Sequence, residues 1–231
     1  IEGNPFIYWI PDNILDLFDV GEKLDDGSED PIMYSRKGLT TGDNGRFLRF
    51  HWEVKEDSLN QKWFMLSKGE SDRYYYFEPT YVVNWENDGY ELRNFKNDKG
   101  KLRSVIRNKK FYFREGLTYT LLGGNNFKAR YMEEGNIFEA NGPCIFPNKI
   151  SLLYAFGFLN STLCREFLYY ISPTLAINIS DIDKIPFVYP SEETKNLVEK
   201  YANQIIAISK KFNKFNELNK KYFISPELVL F

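Results

Sequence analysis

The sequence predicts a mixed α/β fold of the α+β kind, in which a β-rich domain carries a packed apolar helix and a long, protruding C-terminal helix. Three observations support this class. Aromatic residues make up 17% of the 231 residues, with 20 Phe and 16 Tyr, and aromatic side chains favour strands. Between residues 36 and 147, short aromatic and β-branched runs alternate with turn sequences rich in Gly, Asn and Asp, which is typical of successive strands. After residue 150 the spacing of apolar residues becomes that of helices.

The chain is long enough for one sizeable core with helices attached to it. We therefore expect a domain over residues 1–190, with its β-rich core at 36–147 and a helix over 150–171 packed against that core. Residues 191–231 are expected to form a C-terminal helical piece that acts as a spacer or packing element.

The first elements follow from residues 7–19, IYWIPDNILDLFD. They predict a strand that ends at Pro11 and a short helix capped by Asp12. In the β-rich core, six runs have the length and composition of strands, and the turn sequence ENDG at 86–89 is expected to punctuate them. The predicted strands lie at residues 46–54, 73–79, 80–85, 111–116, 118–122 and 136–140.

Residues 150–171, ISLLYAFGFLNSTLCREFLYYI, are almost entirely apolar and predict one helix of about 20 residues against the sheet. Residues 172–190 follow as a loop and an edge strand. Ser191 then caps the last helix, whose first turn is acidic, as the helix dipole favours. Its apolar residues recur at threes and fours from Leu197 to Tyr222. Such a stripe is longer than the β domain needs, so we expect it to pack on another helix outside this chain.

Composition excludes several classes of protein. The sequence has no run of about 18 uncharged apolar residues, and its first residues lack the basic segment of a signal peptide. We therefore expect a cytoplasmic protein with no membrane partner. Cys144 and Cys164 are the only cysteines, which is too few for a disulfide framework or a zinc site, so we expect two reduced, buried thiols and no metal.

The charges are strongly segregated, although the formal net charge is only −2. Residues 1–35 contain nine acidic residues against Lys23 alone, whereas residues 36–130 contain 19 basic and 12 acidic residues. A basic segment inside a nearly neutral protein is typical of a face that binds a polyanion. A solvated surface of mixed charge would give the same count.

The stretch KGLTTGDNGRFLRF at residues 37–50 opens the basic segment. Its glycines permit unusual backbone conformations, its Thr and Asn side chains form hydrogen bonds, and its arginines can grip phosphate. A plain tight turn with solvated arginines would have the same sequence. Our phosphate-binding candidates are Thr40, Thr41, Asn44, Arg46, Arg49, Lys68 and Arg73. Our candidates for reading base edges are Arg107, Lys109, Arg114, Asn125, Asn126 and Lys128.

Three shorter patterns indicate catalysis only weakly. GNPFIYW at residues 3–9 is similar to the Asn-Pro-Pro-aromatic motif with which amino-methyltransferases hold a flipped adenine, but the second proline is missing. Asp12, Glu53 and Lys55 imitate the PD…ExK arrangement of magnesium-dependent nucleases, although with a long gap. His51 is the only histidine, and we expect it to be a packed or surface residue and not a catalytic one.

Six stretches, taken in order, resemble one family. They are KGLTTGDNGRFLRFHWEV, KWFMLSKGESDRYYY, YVVNWENDGYELRNF, FYFREGLTYTLL, FGFLNSTLCREFLYYISPTLAINISDIDKIP and the closing long helix. Together they resemble the C-terminal target-recognition region of the BREX phage-defence adenine methyltransferases of the PglX type, and of type IIG restriction-modification enzymes. More distantly they are similar to the specificity subunits of type I systems. The resemblance extends from about Gly3 to Tyr222.

The resemblance implies that this chain is a fragment, without the upstream catalytic domain that holds the cofactor loop and the Asn-Pro-Pro-Tyr motif. In that family this region chooses the DNA sequence, and the catalytic domain transfers a methyl group from S-adenosylmethionine to N6 of adenine. The fragment itself is expected to hold no cofactor and to do no chemistry. Thr41, Gly42, Asp43, Asn44 and Arg46 match the family's Gly-x-x-Thr-Gly-Asp-Asn signature, which implies a role in phosphate binding or in the fold, because a recurring signature cannot encode a variable target.

The expected function is therefore sequence-specific recognition of double-stranded DNA for an adenine-specific methyltransferase of a restriction-modification or BREX system. The expected partners are duplex DNA, the chain's own upstream methyltransferase domain and other defence-system proteins. Two alternatives stay open. One is a magnesium-dependent nuclease that uses Asp12, Glu53 and Lys55, and the other is a protein-interaction module whose aromatic face and long helix bind a defence partner or a DNA mimic.

Overall fold

The computed structural model describes residues 10–69, 75–122, 127–172, 174 and 176–215. The helices are α1 (Asp12–Val20), α2 (Asn44–Phe47), α3 (Glu86–Asn94), α4 (Leu152–Leu159), α5 (Thr162–Ile171), α6 (Ile179–Asp183) and α7 (Glu192–Asn213). The strands are β1 (Glu22–Lys23), β2 (Met33–Arg36), β3 (Leu48–Phe50), β4 (Trp63–Ser67), β5 (Tyr81–Asn84), β6 (Gly116–Thr118), β7 (Arg130–Met132), β8 (Ile137–Phe138), β9 (Cys144–Pro147) and β10 (Pro186–Phe187). The expected α+β class is confirmed.

Among the described residues, the strands form two four-stranded sheets and one two-stranded ribbon. The first sheet has the order β2-β9-β6-β7 and is antiparallel throughout. The second has the order β3-β5-β4-β8, in which β4 and β8 run parallel. The ribbon pairs β1 with β10, so it joins an early segment of the chain to the segment that precedes the last helix.

Strand β9 lies between two hydrophobic cores. Because the side chains of a strand alternate between its two faces, Cys144 and Phe146 enter the core between the sheets, whereas Ile145 enters the core between the first sheet and the helices. All three side chains are buried. The protein therefore has three layers, formed by the helices, the first sheet and the second sheet. The 37–50 loop connects β2 of the first sheet to β3 of the second.

Residues 150–171 form two helices, α4 and α5, so the prediction of a single helix is wrong. The side-chain amide of Asn160 donates to the Phe156 carbonyl oxygen (2.9 Å), at the end of α4. The Ser161 hydroxyl then accepts from the Cys164 N–H (3.1 Å) and caps α5. Side chains that bind the backbone in this way end one helix and begin the next. The apolar pattern hides the break because both helices bury residues in the same core.

The aromatic run at 111–116 is not the predicted strand. Asn108 has a left-handed backbone, with φ 53°, and leads into a 3-10 turn at Lys109–Phe111. The chain therefore changes direction before a strand can extend. Phe111 and Tyr112 are buried in the core between the sheets, so the aromatic character of the run reflects burial and not strand pairing.

The ENDG sequence at 86–89 leads into a helix and does not join two strands. Asn87, Asp88 and Gly89 have φ values of 51°, 60° and 71°, and Asn, Asp and Gly are the residues that most readily adopt this left-handed region. The turn residues were therefore correctly recognised from the sequence, but they form the left-handed first turn of α3, shortly after β5 ends.

The predicted N-terminal helix is confirmed as α1, with one difference at its start. Asp12 is the first helical residue, and Pro11 occupies the capping position without a side-chain hydrogen bond. The predicted strand before Pro11 falls mainly on residues 7–9, and the predicted end of the last helix falls on residues 216–222. Both segments lie outside the described residues.

Helix α7 begins at the predicted cap, Ser191, and lies along α4. A Cβ atom placed on Gly157 of α4 would come within 2.4 Å of Val198 on α7, so only glycine allows the two helices to approach this closely. Ala202 and Ile206 of α7 are buried in the same core. This contact fixes the last helix on the helical layer.

No described helix is both long and apolar enough to cross a lipid bilayer. Cys144 and Cys164 are fully buried and form no disulfide. Burial raises the pKa of both thiols, which makes them unreactive at neutral pH because the thiolate is the reactive form.

A buried carboxyl group on α6 should make stability depend on pH. One side-chain oxygen of Asp183 is buried and has no hydrogen-bond partner in the described part of the chain. Burial raises the pKa of this carboxyl group to about 6, although the nearby Ser35 and Arg36 act in the opposite direction. The folded state therefore holds this proton more tightly than the unfolded state does, and its stability falls as the pH rises from about 4 to about 6.

We expect Asp183→Asn to increase the free energy of unfolding by about 1–2 kcal/mol at pH values near 7.5, allowing for the partial exposure of the group. At pH values of about 2.5, below the ordinary Asp pKa of about 3.9, the carboxyl group is protonated in both states, so the same substitution should change little. Urea unfolding at the two pH values measures this. An equal gain at both would show that the charge of Asp183 is not the cause.

Candidate nucleic-acid interface

The loop between β2 and β3 is held by close contacts of its two signature glycines. A Cβ atom on Gly38 would lie 1.8 Å from the carbonyl oxygen of Phe138 in β8. Gly42 has φ +73°, and its Cβ atom would lie 2.5 Å from the carbonyl oxygen of Arg103. No larger residue fits either position without movement of the backbone. The glycines therefore fix where the loop lies.

The polar residues of the signature brace the same loop. The Thr41 hydroxyl donates to the Asn44 side-chain oxygen (2.6 Å), and Thr41 is buried. The Asp43 carboxylate accepts from the Arg46 N–H (3.1 Å) and caps α2. These side chains are engaged with each other, so Thr41 in particular faces the protein. Their position indicates that much of the signature shapes the loop and presents the exposed Arg46.

A second segment of the chain runs beside this loop. Thr40 and Val105 form two backbone hydrogen bonds of 2.8 Å in an isolated antiparallel bridge. Arg103 donates to the Gly42 carbonyl oxygen (3.2 Å), and Arg107 donates to the Thr40 hydroxyl (3.4 Å). Residues more than 60 positions apart in the sequence thus form one surface.

The side chain of Phe95 supports two arginines at this surface. The guanidinium carbons of Arg46 and Arg103 each lie 5.0 Å from the centre of its ring. Phe95 is itself buried against Phe47, with 5.1 Å between the ring centres. Stacking on an aromatic ring limits the motion of a guanidinium group while leaving its N–H groups free to bind an anion.

The arginine cluster, which we define as Arg46, Arg49, Arg103 and Arg107, has no acidic partner among the described residues. In the described part of the chain, none of the four forms an ion pair with a carboxylate. Arg49 donates instead to the carbonyl oxygens of Gly45 (2.7 Å) and Leu48 (2.6 Å). Four cations without neutralising carboxylates create a positive surface that attracts phosphate groups.

The other phosphate candidates lie apart from the arginine cluster or outside the described residues. The Lys68 ammonium lies 4.0 Å from Glu139 and 4.6 Å from the ring centre of Tyr81. Burial raises the pKa of Glu139, and Lys68 acts against that shift. Lys68 is thus engaged within the protein, and Arg73 lies in the undescribed segment 70–74. Both assignments stay predictions.

The base-reading candidates do not form one surface in the described residues. Arg107 belongs to the arginine cluster, whereas Lys109 forms an ion pair with Asp88. Arg114 is exposed and lies over the rings of Phe111 and Phe146, at 5.1 and 5.6 Å. Lys128 is half-buried, and Asn125 and Asn126 lie outside the described residues.

One residue of this surface, Phe95, was not among the candidates that the sequence indicated. Arg103 was a candidate, because it belongs with Arg107, Lys109 and Lys110 to a basic run that precedes the aromatic stretch at 111–116, but it was not assigned to phosphates or to bases. Nothing in the sequence indicates that Phe95 supports arginines from two segments, because that role depends on the packing of the loop.

The residues of the nuclease pattern are used in other ways. The Glu53 carboxylate accepts from the Phe50 N–H (2.7 Å) and caps a 3-10 turn. Asp12 lies on α1, whose apolar residues pack on the core beside the helices. Within the ranges that the structure describes, no three His, Cys, Asp or Glu side chains are grouped as metal ligands. No structural observation favours the nuclease alternative.

A partly open cavity of about 210 Å³ lies between β4 and β7, beside Lys68 and Arg130. Glu78, Glu133 and Glu134 also line it, so its charge does not favour phosphate. The arginine cluster is therefore the better candidate for a polyanion.

No protein-family model matches the chain. The chain is 30% identical over 229 residues to the adenine-specific methyltransferase PglX of Lacticaseibacillus casei (strain Zhang), which covers 93% of this chain and 18% of the relative. It is 32% identical over 222 residues to the adenine-specific methyltransferase BrxX of Escherichia coli O9:H4 (strain HS), which covers 91% of this chain and 17% of the relative. The chain thus spans less than a fifth of the length of each relative.

Proposed function

Because the chain is homologous over most of its length to one part of the adenine-specific methyltransferases PglX and BrxX, we propose that it is the DNA target-recognition region of a longer methyltransferase. We call that longer protein the parent polypeptide. We propose that the parent polypeptide is cytoplasmic. We also propose that it belongs to a BREX or restriction-modification defence system. Its catalytic part uses S-adenosylmethionine, and the chain described here supplies the contacts to duplex DNA.

The arginine cluster carries this proposal. Its four guanidinium groups lack carboxylate partners in the described residues, and two of them are held over Phe95. A cluster of this kind is costly to bring together unless an anion neutralises it. Duplex DNA supplies closely spaced phosphates, so the cluster suits a sugar-phosphate backbone.

Phosphate contacts place a protein on the duplex but contain no sequence information. In our proposal the sugar-phosphate backbone of the DNA is bound by Arg46, Arg49 and Arg103. Arg107 is exposed and donates to the Thr40 hydroxyl; we propose that it contacts a base edge in a groove, where Arg favours guanine. Arg114 and Lys128 stay candidates for further base contacts.

The salt dependence of DNA binding tests the proposal. If the three arginines Arg46, Arg49 and Arg103 meet phosphates, the logarithm of the affinity should fall with the logarithm of the salt concentration with a slope of about −2.7. That slope corresponds to a loss of about 40-fold between about 50 and 200 mM salt. Fluorescence anisotropy of a labelled duplex with the purified chain measures it. An affinity that does not change over this range would refute phosphate binding.

A further inference from the structure

Helix α7 has two apolar faces, and the described residues cover one of them. Val198, Ala202 and Ile206 recur every four residues and belong to the core beside α4. A second row of apolar side chains is exposed to solvent. Its members and their exposed fractions are Leu197 (51%), Tyr201 (54%), Ile205 (37%), Ile208 (54%) and Phe212 (66%).

Four residues of this row have the spacing of a coiled coil. Tyr201, Ile205, Ile208 and Phe212 follow each other at intervals of four, three and four residues, as successive d and a positions do in a heptad repeat. We call these four residues the α7 seam. A helix that faces solvent on this side would carry polar residues there. Within the part of the chain that the structure describes, the seam is thus a helix surface that no other element covers.

We infer that the α7 seam is the docking site of a second helix, which the remaining part of the parent polypeptide supplies. This inference rests on the proposal that the chain is one region of a longer methyltransferase. More than four-fifths of the length of each relative lies outside the region that matches this chain, so ample sequence remains to supply such a helix.

The seam is held in place before any partner arrives. Toward the start of α7, the hydroxyl of Ser151, the residue that caps α4, donates to the Glu199 carboxylate. Near its end, the Lys210 ammonium lies 2.6 Å from the Glu133 carboxylate and 4.5 Å from the ring centre of Tyr131. Because α7 is fixed at both ends, docking does not require it to become ordered, which lowers the entropic cost.

The size of the seam favours a partner in the same polypeptide over a second copy of the chain. Tyr201 and Phe212 are eleven residues apart, so the seam is about 17 Å long. A strip of that length and of the width of one helix, about 10 Å, buries only a few hundred Å², whereas a stable complex needs about 800 Å² per partner. A segment of the same polypeptide overcomes this because its effective concentration reaches the millimolar range.

The charges around the seam indicate the chemistry of the partner helix. Lys211 flanks the seam, and Lys200 and Lys214 lie near its two ends; all three are exposed. Within the described residues none of them forms an ion pair. The docking helix should therefore carry a row of apolar residues flanked by acidic ones.

Hydroxyl-radical footprinting, read by mass spectrometry, tests this inference on the isolated chain and on the parent polypeptide. Tyr201 and Phe212 should be oxidised readily in the isolated chain and should be protected severalfold in the parent. Ile208→Glu should remove that protection in the parent. The matched control, Asn203→Glu, adds the same charge at an exposed position of α7 outside both apolar faces and should leave the protection intact.

Three outcomes would overturn the inference. If the two side chains react equally in the chain and in the parent, no helix docks there. If protection in the isolated chain increases with its concentration, a second copy occupies the seam. If protection in the isolated chain is already complete at every concentration, residues beyond Phe215 cover it. DNA binding by the isolated chain is measured separately, so a failure of this inference is distinguishable from a failure of the proposed function.

Discussion

Replacing Gly38 with alanine should lower the free energy of unfolding by about 3 kcal/mol or more, because the new methyl group would overlap a backbone atom that cannot move alone. The Cβ atom would lie 1.8 Å from the Phe138 carbonyl oxygen. That oxygen accepts the hydrogen bond of the Leu39 N–H (3.1 Å), so relief of the overlap would also break this link between the loop and β8. Urea unfolding of the two proteins measures the difference.

Gly100→Ala is the matched control for this prediction. Gly100 has φ +76° and has no atom within 4 Å of a new Cβ atom, so its substitution costs only the strain of the left-handed conformation, about 1–2 kcal/mol. The prediction requires Gly38→Ala to lower the free energy of unfolding clearly more than Gly100→Ala does. Similar losses would mean that the contact with β8 yields easily and that the first signature glycine has another role.

Removing Arg46 and Arg103 together should weaken duplex binding by about 100-fold or more at low salt, because a hydrogen bond to a charged group contributes about 1.5–3 kcal/mol. The same double variant should reduce the magnitude of the salt slope by about 2, one for each phosphate that is no longer bound. Since both side chains lie on Phe95, the two single substitutions are not expected to add up to the effect of the double one.

Arg165→Ala serves as the control for this experiment. Arg165 is an exposed arginine on α5, whose buried residues belong to the core beside the helices. Its loss removes one charge of the same kind without touching the cluster. If Arg165→Ala weakens binding as much as Arg46→Ala does, the protein attracts DNA through its overall charge. The arginine cluster would then lose its assigned role.

The sequence predicted the elements whose signals are local. Ser191 caps α7 through a bond within its own first turn, and residues 81–84 form β5 within the predicted strand. Asn160 and Ser161 end and restart a helix inside a continuous apolar run, and apolar periodicity does not detect such a break. The strand expected at 111–116 failed because burial and strand pairing favour the same aromatic residues.

In the candidate site, too, the sequence predicted what depends on local signals and missed what depends on contacts between distant residues. The arginines of the 37–50 loop could be proposed from residue type alone. Their grouping with Arg103 and Arg107 depends on contacts with residues 61 and 67 positions away, and no local pattern encodes such contacts. Likewise, the ion pair of Lys109 with Asp88 joins residues 21 positions apart, and Asp88 lies in the left-handed first turn of α3, which was expected from the sequence to be a turn between strands.

The alternation along β9 limits how this region can be transplanted between proteins. Since Cys144 and Phe146 fill the core between the two sheets while Ile145 packs on the side of the helices, a chimera that exchanges only the second sheet would leave one face of β9 against side chains that do not match it. Exchange of the exposed loops preserves that strand and both of its faces. If the proposed function is correct, grafting of loops onto an unchanged scaffold is therefore the practical way to alter the recognised DNA, and exchange of half of the domain is not.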